Sequence, residues 1–135
     1  MDVLWSSPVY MYLTKGMDAA SLRQRIHSHN LANVNTPHFK RSYVEFESLL
    51  QKAGGQGKKV VATTNPRHIG SGAAAVPSSR VVRDEATSMR TDGNNVDVDK
   101  EMTQIAMNQL YYNALSQQLN ERLGIMRYVI NEGRR

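Results

Sequence analysis

The sequence predicts a mainly α-helical fold in which a long N-terminal and a long C-terminal helix pair as an antiparallel, coiled-coil-like bundle. Two observations predict it. Apolar residues recur at alternating steps of three and four over residues 8–33 and 98–131, which is the period of helices that pack lengthwise. Between them lies a glycine-rich middle with few apolar residues, for which we expect flexibility, little regular structure and at most short β-strands.

This pattern divides the chain into three parts. Residues 1–50 hold the N-terminal helix, a turn and a short helix, and residues 51–91 form a flexible basic insertion. Residues 92–135 hold a second turn and the long C-terminal helix. Because the two terminal helices would bury their apolar faces against each other, both ends of the chain are expected to form one domain.

The N-terminal helix has a readable start. Ser7 suits the N-cap and Pro8 the first helical position, where its missing N–H is no loss. The periodic positions that follow, five of seven apolar or aromatic, are Tyr10, Leu13, Met17, Ala20, Gln24, His27 and Leu31.

The end of this helix lies in residues 30–41, Asn-Leu-Ala-Asn-Val-Asn-Thr-Pro-His-Phe-Lys-Arg. We expect Asn33 or Asn35 to end the helix in a left-handed conformation. Pro37 then disfavours a helical conformation at the preceding residue, so the chain leaves in a new direction.

The C-terminal helix carries the clearer pattern. Its periodic positions, eight of ten apolar or aromatic, are Val98, Met102, Ile105, Gln109, Tyr112, Ser116, Leu119, Leu123, Met126 and Ile130. At ~1.5 Å per residue this helix would be about 50 Å long and the N-terminal one about 39 Å. About two turns of the longer helix would therefore overhang, and their apolar surface would need another molecule. The alternative is that the middle of the chain folds back over it.

Two further predictions concern the segments between the helices. In residues 42–50 the positions Tyr43, Phe46, Leu49 and Leu50 share one face of a short helix that would cap the bundle. Within the insertion, the residues around 59–63 and 79–83 are compatible with short strands.

The net charge of +5 and a pI near 9.7 raise the possibility of nucleic-acid binding. The basic excess is densest in residues 58–90, where six Lys and Arg residues face two acidic ones. No aromatic residue occurs between Phe46 and Tyr111, so this segment lacks a platform on which bases could stack. A solvated or subunit-facing basic surface is the preferred interpretation.

Catalytic and metal chemistry find no support in the sequence. There is no cysteine, which excludes disulfides and thiolate sites. Residues 54–59 lack the spacing of a phosphate-binding loop, and residues 92–101 lack the glycine of a calcium loop. The four histidines form no helical zinc pair and no triad is recognisable. We expect no enzyme, no metal and no cofactor.

Membrane and export signals are also missing. No apolar run reaches eighteen residues, so we expect a soluble protein without a membrane span. The acidic Asp2 and the interruption at residues 6–8 are unlike a secretory signal, so any exit from the cytosol would use another route.

Residues 30–41 resemble the signature N-[IL]-A-N-x-x-T-P-G-[YF]-K-R of the bacterial flagellar axial proteins. The matching residues are Asn30, Leu31, Ala32, Asn33, Thr36, Pro37, Phe39, Lys40 and Arg41. The chain departs from it at His38, where the family has glycine. If the bend requires a positive φ, histidine can adopt it at some cost.

Two further stretches resemble the proximal rod members of that family. The first runs from Thr64 to Ile69 and includes His68. The second, which we also interpret as a turn followed by the acidic start of a helix, comprises Asp92, Gly93, Asn94, Asn95, Val96, Asp97 and Glu101.

This resemblance implies a structural subunit of the proximal rod of the flagellar basal body, located in the periplasm and exported by the flagellar type III system without a cleaved signal. The implied partners are other rod proteins, the adaptor protein FliE, the export gate and further copies in a helical assembly. We expect the assembly seam to comprise Leu13, Met17, Met102, Ile105, Tyr112, Leu119, Leu123, Met126 and Ile130. The alternatives are a different flagellar axial protein, of the rod or hook-associated type, and a small basic nucleic-acid-binding module.

Overall fold

The computed structural model describes residues 8–55 and 78–131. In this part of the chain the order of elements is α1 (Pro8–Ala32), β1 (Ser42–Glu45), α2 (Glu47–Gly55), β2 (Arg80–Arg83) and α3 (Val98–Ile130). The predicted mainly helical fold, with long N- and C-terminal helices that pack together, is confirmed. The predicted strand in residues 59–63 and the predicted N-cap Ser7 lie outside the described residues.

Helices α1 and α3 run antiparallel. Gly16 contacts Leu115, the carbonyl of Ala20 accepts a hydrogen bond from Asn108, and His27 contacts Glu101, so the contacts on α3 descend as those on α1 ascend. A Cβ at Gly16 would lie 3.1 Å from Leu115 Cδ1. A residue without a side chain therefore lets the two helices approach closely at this level.

The first helix ends differently from the prediction. Among the described non-glycine residues, only His38 has a positive φ, so neither Asn33 nor Asn35 is left-handed. Instead, the backbone N–H of Asn33 donates to the carbonyls of His29 and Asn30, and its side-chain Nδ2 donates to the same His29 carbonyl at 2.9 Å. The asparagine satisfies carbonyls at the helix end through its side chain, so a left-handed backbone is not needed.

The predicted helix over residues 42–50 is wrong in its first half. Residues Ser42–Glu45 form β1, and α2 starts at Glu47 and continues to Gly55. β1 pairs antiparallel with β2, with Tyr43 opposite Val82 and Val44 opposite Val81. The predicted strand at residues 79–83 is thereby confirmed as β2. A distant partner strand overrides the helical spacing of residues 42–50, because sheet formation depends on cross-strand pairs.

Part of the predicted insertion is tied to the bundle. Residues 78–91 contain β2, and the backbone N–H groups of Met89 and Arg90 donate to the carbonyl of Asn94. The division of the chain at residues 50 and 91 remains a prediction, although α2 crosses the first of these boundaries.

The buried interior of the described residues is small and unusually polar. Its buried apolar residues are Leu13, Ala19, Ala20, Phe46 and Val96, while the buried polar ones are His27, Asn30, Asn94, Asn95, Glu101 and Asn108. Interiors normally bury apolar residues, and buried polar groups need partners. Except for Asn108, these buried polar residues lie at one end of the bundle, where α1 ends and α3 begins.

The last two turns of α3 are exposed. Ile125, Tyr128, Val129 and Ile130 are 63–68% exposed, as expected for an overhang beyond the start of α1. Within the described residues, no helix has both the length and the apolar character required to cross a membrane.

Candidate functional site

The two sequence motifs meet at one end of the bundle. We call this region the motif junction and define it as residues 30–41, which follow α1, together with residues 92–101, which lead into α3. His38 N–H donates to the carbonyl of Asp92 at 3.0 Å, which joins the two segments directly. Three asparagines and one glutamate supply most of the other contacts.

Asn94 binds the loop that ends α1. Its Nδ2 donates to the carbonyls of Asn33, Val34 and Thr36 at 3.1, 3.0 and 2.9 Å. Its Oδ1 accepts from the N–H of Val96 at 2.7 Å, and the residue is 0% exposed. A helix end leaves carbonyls without partners, and this single amide reaches three in the loop after α1.

Asn95 binds the ribbon formed by β1 and β2. Its Oδ1 accepts from the N–H of Arg41 at 2.7 Å, and its Nδ2 donates to the carbonyl of Asp84 and to Thr87 Oγ1, both at 2.9 Å. Because Arg41 precedes β1 and Asp84 follows β2, one side chain fixes the end of both strands.

Asn30 connects α1 with β1. Its Oδ1 accepts from the N–H of Ser42 at 3.0 Å, and its Nδ2 donates to the carbonyl of the same residue at 2.8 Å. This pairing imitates a neighbouring backbone, so the first motif asparagine fixes where the strand leaves the helix.

Glu101 lies at the centre of the junction. It is 1% exposed, its Oε2 lies 2.6 Å from His27 Nδ1, and the same oxygen accepts from Asn30 Nδ2 at 3.2 Å. Arg41 Nε lies 3.4 Å from Glu101 Oε1 without a hydrogen bond. A carboxylate is costly to bury without partners, so these groups depend on one another.

The helix-start function predicted for this segment belongs to Asp97. Its carboxylate accepts from the N–H groups of Asp99 and Lys100 at 3.0 and 3.2 Å, so α3 starts within the segment predicted to hold an acidic helix start. Glu101 was assigned to the same role and instead points into the interior. The signal for this was its spacing, because Glu101, Asn108 and Leu115 recur every seven residues and face α1.

His38 adopts a positive φ at the position where the family has glycine. Its φ is 60°, and the neighbouring Gly93 has φ 79°. A Cβ at Gly93 would lie 2.9 Å from His38 Nδ1. The histidine ring therefore occupies space that only a glycine leaves free.

The remaining motif residues support the junction. Asp92 Oδ1 accepts from the N–H of Asn94 at 3.1 Å, and Lys40 Nζ donates to the carbonyl of Thr87 at 2.7 Å. The Phe39 ring lies 5.5 Å from that of His29. Of the other motif residues, Val96 is buried, Leu31 is half-buried, and Ala32, Thr36 and Pro37 are exposed.

The residues predicted for the assembly seam are spread over two environments. Leu13 is buried, and Met17, Ile105, Leu119, Leu123 and Met126 are half-buried. Met102, Tyr112 and Ile130 are 53%, 40% and 67% exposed. Their role in contacts between molecules remains a prediction.

A cavity of about 560 Å³ lies between α3 and the ribbon. Its walls include an ion pair between Arg23 and Glu47, and the guanidinium of Arg23 lies 5.6 Å from the ring centre of Tyr111. Among the described residues, no group of three His, Asp or Glu side chains is arranged to hold a metal ion.

Comparison with known proteins decides the family. A flagellar basal body rod protein FlgB from Bacillus subtilis is 33% identical over 122 residues, which cover 90% of this chain and 92% of the relative. The chain belongs to the FlgB family of flagellar basal body rod proteins. No family model matches it.

Other FlgB proteins agree. One from Borreliella burgdorferi is 37% identical over 107 residues, covering 74% of this chain and 78% of the relative. One from Escherichia coli is 31% identical over 121 residues, covering 83% and 88%. As a member of the FlgB family, the chain is a component of the flagellar basal body rod, and the predicted family is confirmed.

Proposed function

We propose that the chain is a non-catalytic structural subunit that polymerises through its terminal helices with related rod proteins to build the proximal rod. One observation carries the proposal: most large apolar side chains of α3 face outward. Leu110 is 71% exposed, Met107 59% and Tyr128 63%. An apolar surface of this extent is typical of an interaction site.

The motif junction supports this role as a rigid support. The buried residues Asn30, Asn94, Asn95 and Glu101 join α1, the ribbon and the segment leading into α3 through side-chain hydrogen bonds. Buried polar contacts of this kind define one arrangement and disfavour others, because a shifted register leaves polar groups without partners. Each subunit would thus present its helices at a fixed angle to its neighbours.

The proposal also names the binding partners of the subunit and its route of export. We propose contacts with the adaptor protein FliE and the export gate, and export by the flagellar type III system without a cleaved signal. Membership of the FlgB family supports these proposed contacts and this export route. The contacts would be heterologous, since contacts that do not close on themselves build helical assemblies.

Deletion of the gene in its native host tests the function. Loss of swimming and of the rod in basal bodies viewed by electron microscopy is expected, with recovery when the full chain is supplied. A deletion strain that swims and retains complete rods would refute the proposal. A nucleic-acid-binding module, by contrast, would bind DNA with an affinity that falls steeply with salt.

A further inference from the structure

The side of α3 that packs on α1 differs from the side with the most apolar residues. The contacts with α1 come from Glu101, Asn108 and Leu115, whose directions around the helix axis centre on Asn108. The ten periodic positions of this helix, from Val98 to Ile130, form what we call the apolar stripe. At about 100° per residue, the stripe centres about 60° further around the axis than Asn108. Helix α3 is therefore turned away from the orientation that its apolar pattern favours.

This rotation leaves much of the apolar stripe unburied. Within it, Met102 and Ile130 are 53% and 67% exposed, and Val98 and Tyr112 are 41% and 40% exposed. The buried residues of α3 are instead the polar Glu101 and Asn108. Because hydrophobic burial favours turning the stripe toward α1, another interaction must oppose that turn.

Asn108 supplies such an interaction. Its Nδ2 donates to the carbonyl of Ala20 at 2.9 Å and to Gln24 Oε1 at 3.3 Å. Ala20 is 1% exposed, and its small side chain lets the amide approach the backbone of α1. If α3 turned by about 60° to bury Tyr112, the amide would move away from both acceptors. A buried donor without a partner is costly, so the hydrogen bonds of Asn108 resist the turn.

The net contribution of Asn108 to stability is small. The residue is 6% exposed, and its Oδ1 has no hydrogen-bond partner within the described residues. A buried amide with an unused acceptor stabilises a helix pair less than an apolar side chain of the same size. A buried asparagine between paired helices can instead restrict them to one arrangement.

We propose that Asn108 is a specificity-determining residue, which fixes the rotation of α3 on α1 and thereby keeps the apolar stripe outward for a neighbouring chain. Glu101 acts in the same sense at the motif junction, where it contacts His27 and Asn30. The use of the stripe by neighbouring chains rests on the proposed function, whereas the rotation is a property of the single chain. Asn108 lies outside both sequence motifs.

Thiol labelling of the purified chain tests the rotation, because the chain has no cysteine of its own. Tyr112→Cys reports on the apolar stripe, and Leu115→Cys reports on the side that packs on Gly16. Each is made with Asn108 present and with Asn108→Ala. Loss of the amide should slow the labelling of Tyr112→Cys and speed that of Leu115→Cys. We expect each rate to change by about threefold to tenfold, the effect of losing one hydrogen bond.

Changes in opposite directions distinguish a rotation from a loss of structure. If both cysteines label faster in the Asn108→Ala chain, Asn108 only holds the helices together and the proposal is wrong. It is equally wrong if neither rate changes. The matched control is Asn113→Ala, at an exposed position of the same helix, which should alter neither rate. Changes equal to those caused by Asn108→Ala would overturn the proposal.

Swimming separates the rotation from the proposed function. In the deletion strain, the Asn108→Ala chain should restore less swimming than the natural chain, because part of the stripe is hidden. If the deletion strain itself swims, the proposed function fails while the labelling result stands. If the deletion strain is immotile and Asn108→Ala restores full swimming despite changed labelling, neighbouring chains do not need the outward stripe and that part of the proposal is wrong.

Discussion

Replacement of Glu101 tests whether the buried polar network holds the two terminal helices together. Glu101 Oε2 accepts from Asn30 and contacts His27 Nδ1 at 2.6 Å, and the side chain is 1% exposed, so solvent screens neither contact. Hydrogen bonds to charged groups contribute about 1.5–3 kcal/mol each. Removal of one partner from a buried pair costs about 3–5 kcal/mol. Arg41 Nε lies 3.4 Å from Glu101 Oε1, so replacement of Glu101 also removes this largely buried ion pair.

We therefore expect Glu101→Ala to lower the free energy of unfolding by about 3–5 kcal/mol, a large share of the roughly 5–15 kcal/mol typical of domains. Glu101→Gln keeps the shape and one acceptor oxygen, so its loss should be about 1–3 kcal/mol.

Urea unfolding followed by far-ultraviolet circular dichroism measures both variants. The matched control is Glu121→Gln, an exposed position on the same helix, which should stay within about 0.5 kcal/mol of the natural chain. If Glu101→Gln and Glu121→Gln unfold at the same urea concentration, Glu101 does not hold the junction and the reasoning fails.

Three further predictions concern single side chains, each measured by thermal or urea unfolding of the purified chain. Asn94→Ala removes the donor to three carbonyls and should lower the free energy of unfolding by about 2–3 kcal/mol. The control Asn113→Ala, at an exposed position, should leave it nearly unchanged. Equal losses in the two variants would contradict the capping role of Asn94. Gly93→Ala places a Cβ 2.9 Å from His38 Nδ1 at a φ of 79° and should cost about 1–2 kcal/mol. That loss should shrink in a chain that also carries His38→Gly, and strictly additive effects would exclude the steric contact. Gly124→Ala should stabilise the isolated chain by about 0.5–1 kcal/mol, because no atom lies within 4 Å of the added Cβ. Gly16→Ala should stabilise it less, because the added Cβ would lie 3.1 Å from Leu115. A Gly124→Ala chain that is less stable than the natural chain would refute this reasoning.

The candidate site was accessible to sequence reasoning only in part. Both motifs were recognisable in the sequence, and an acidic helix start that includes Asp97 followed from the preference of carboxylates for helix N-termini. The contact between Asn94 and the loop after α1 could not be predicted from the local sequence. The two segments are about 60 residues apart, and nothing local indicates that they meet.

The buried role of Glu101 could not be predicted from the local sequence either. Its position three residues into α3 suggested a role at the helix start, since acidic residues are common there. Its actual role depends on His27 and Asn30, which approach only when α1 and α3 are paired. A charge near a helix end has the same local signature whether it faces water or the interior.

Local features of the sequence predict the two long helices, their unequal lengths and an end of the first helix before Pro37. Each of these depends on local periodicity or on backbone restrictions within a few residues. The strand at residues 42–45, and the burial of Asn30, Asn94, Asn95 and Glu101 at one end of the bundle, became evident only from the tertiary structure. Strand pairing and the burial of polar groups depend on partners far along the chain, so they are settled when the helices meet and not before.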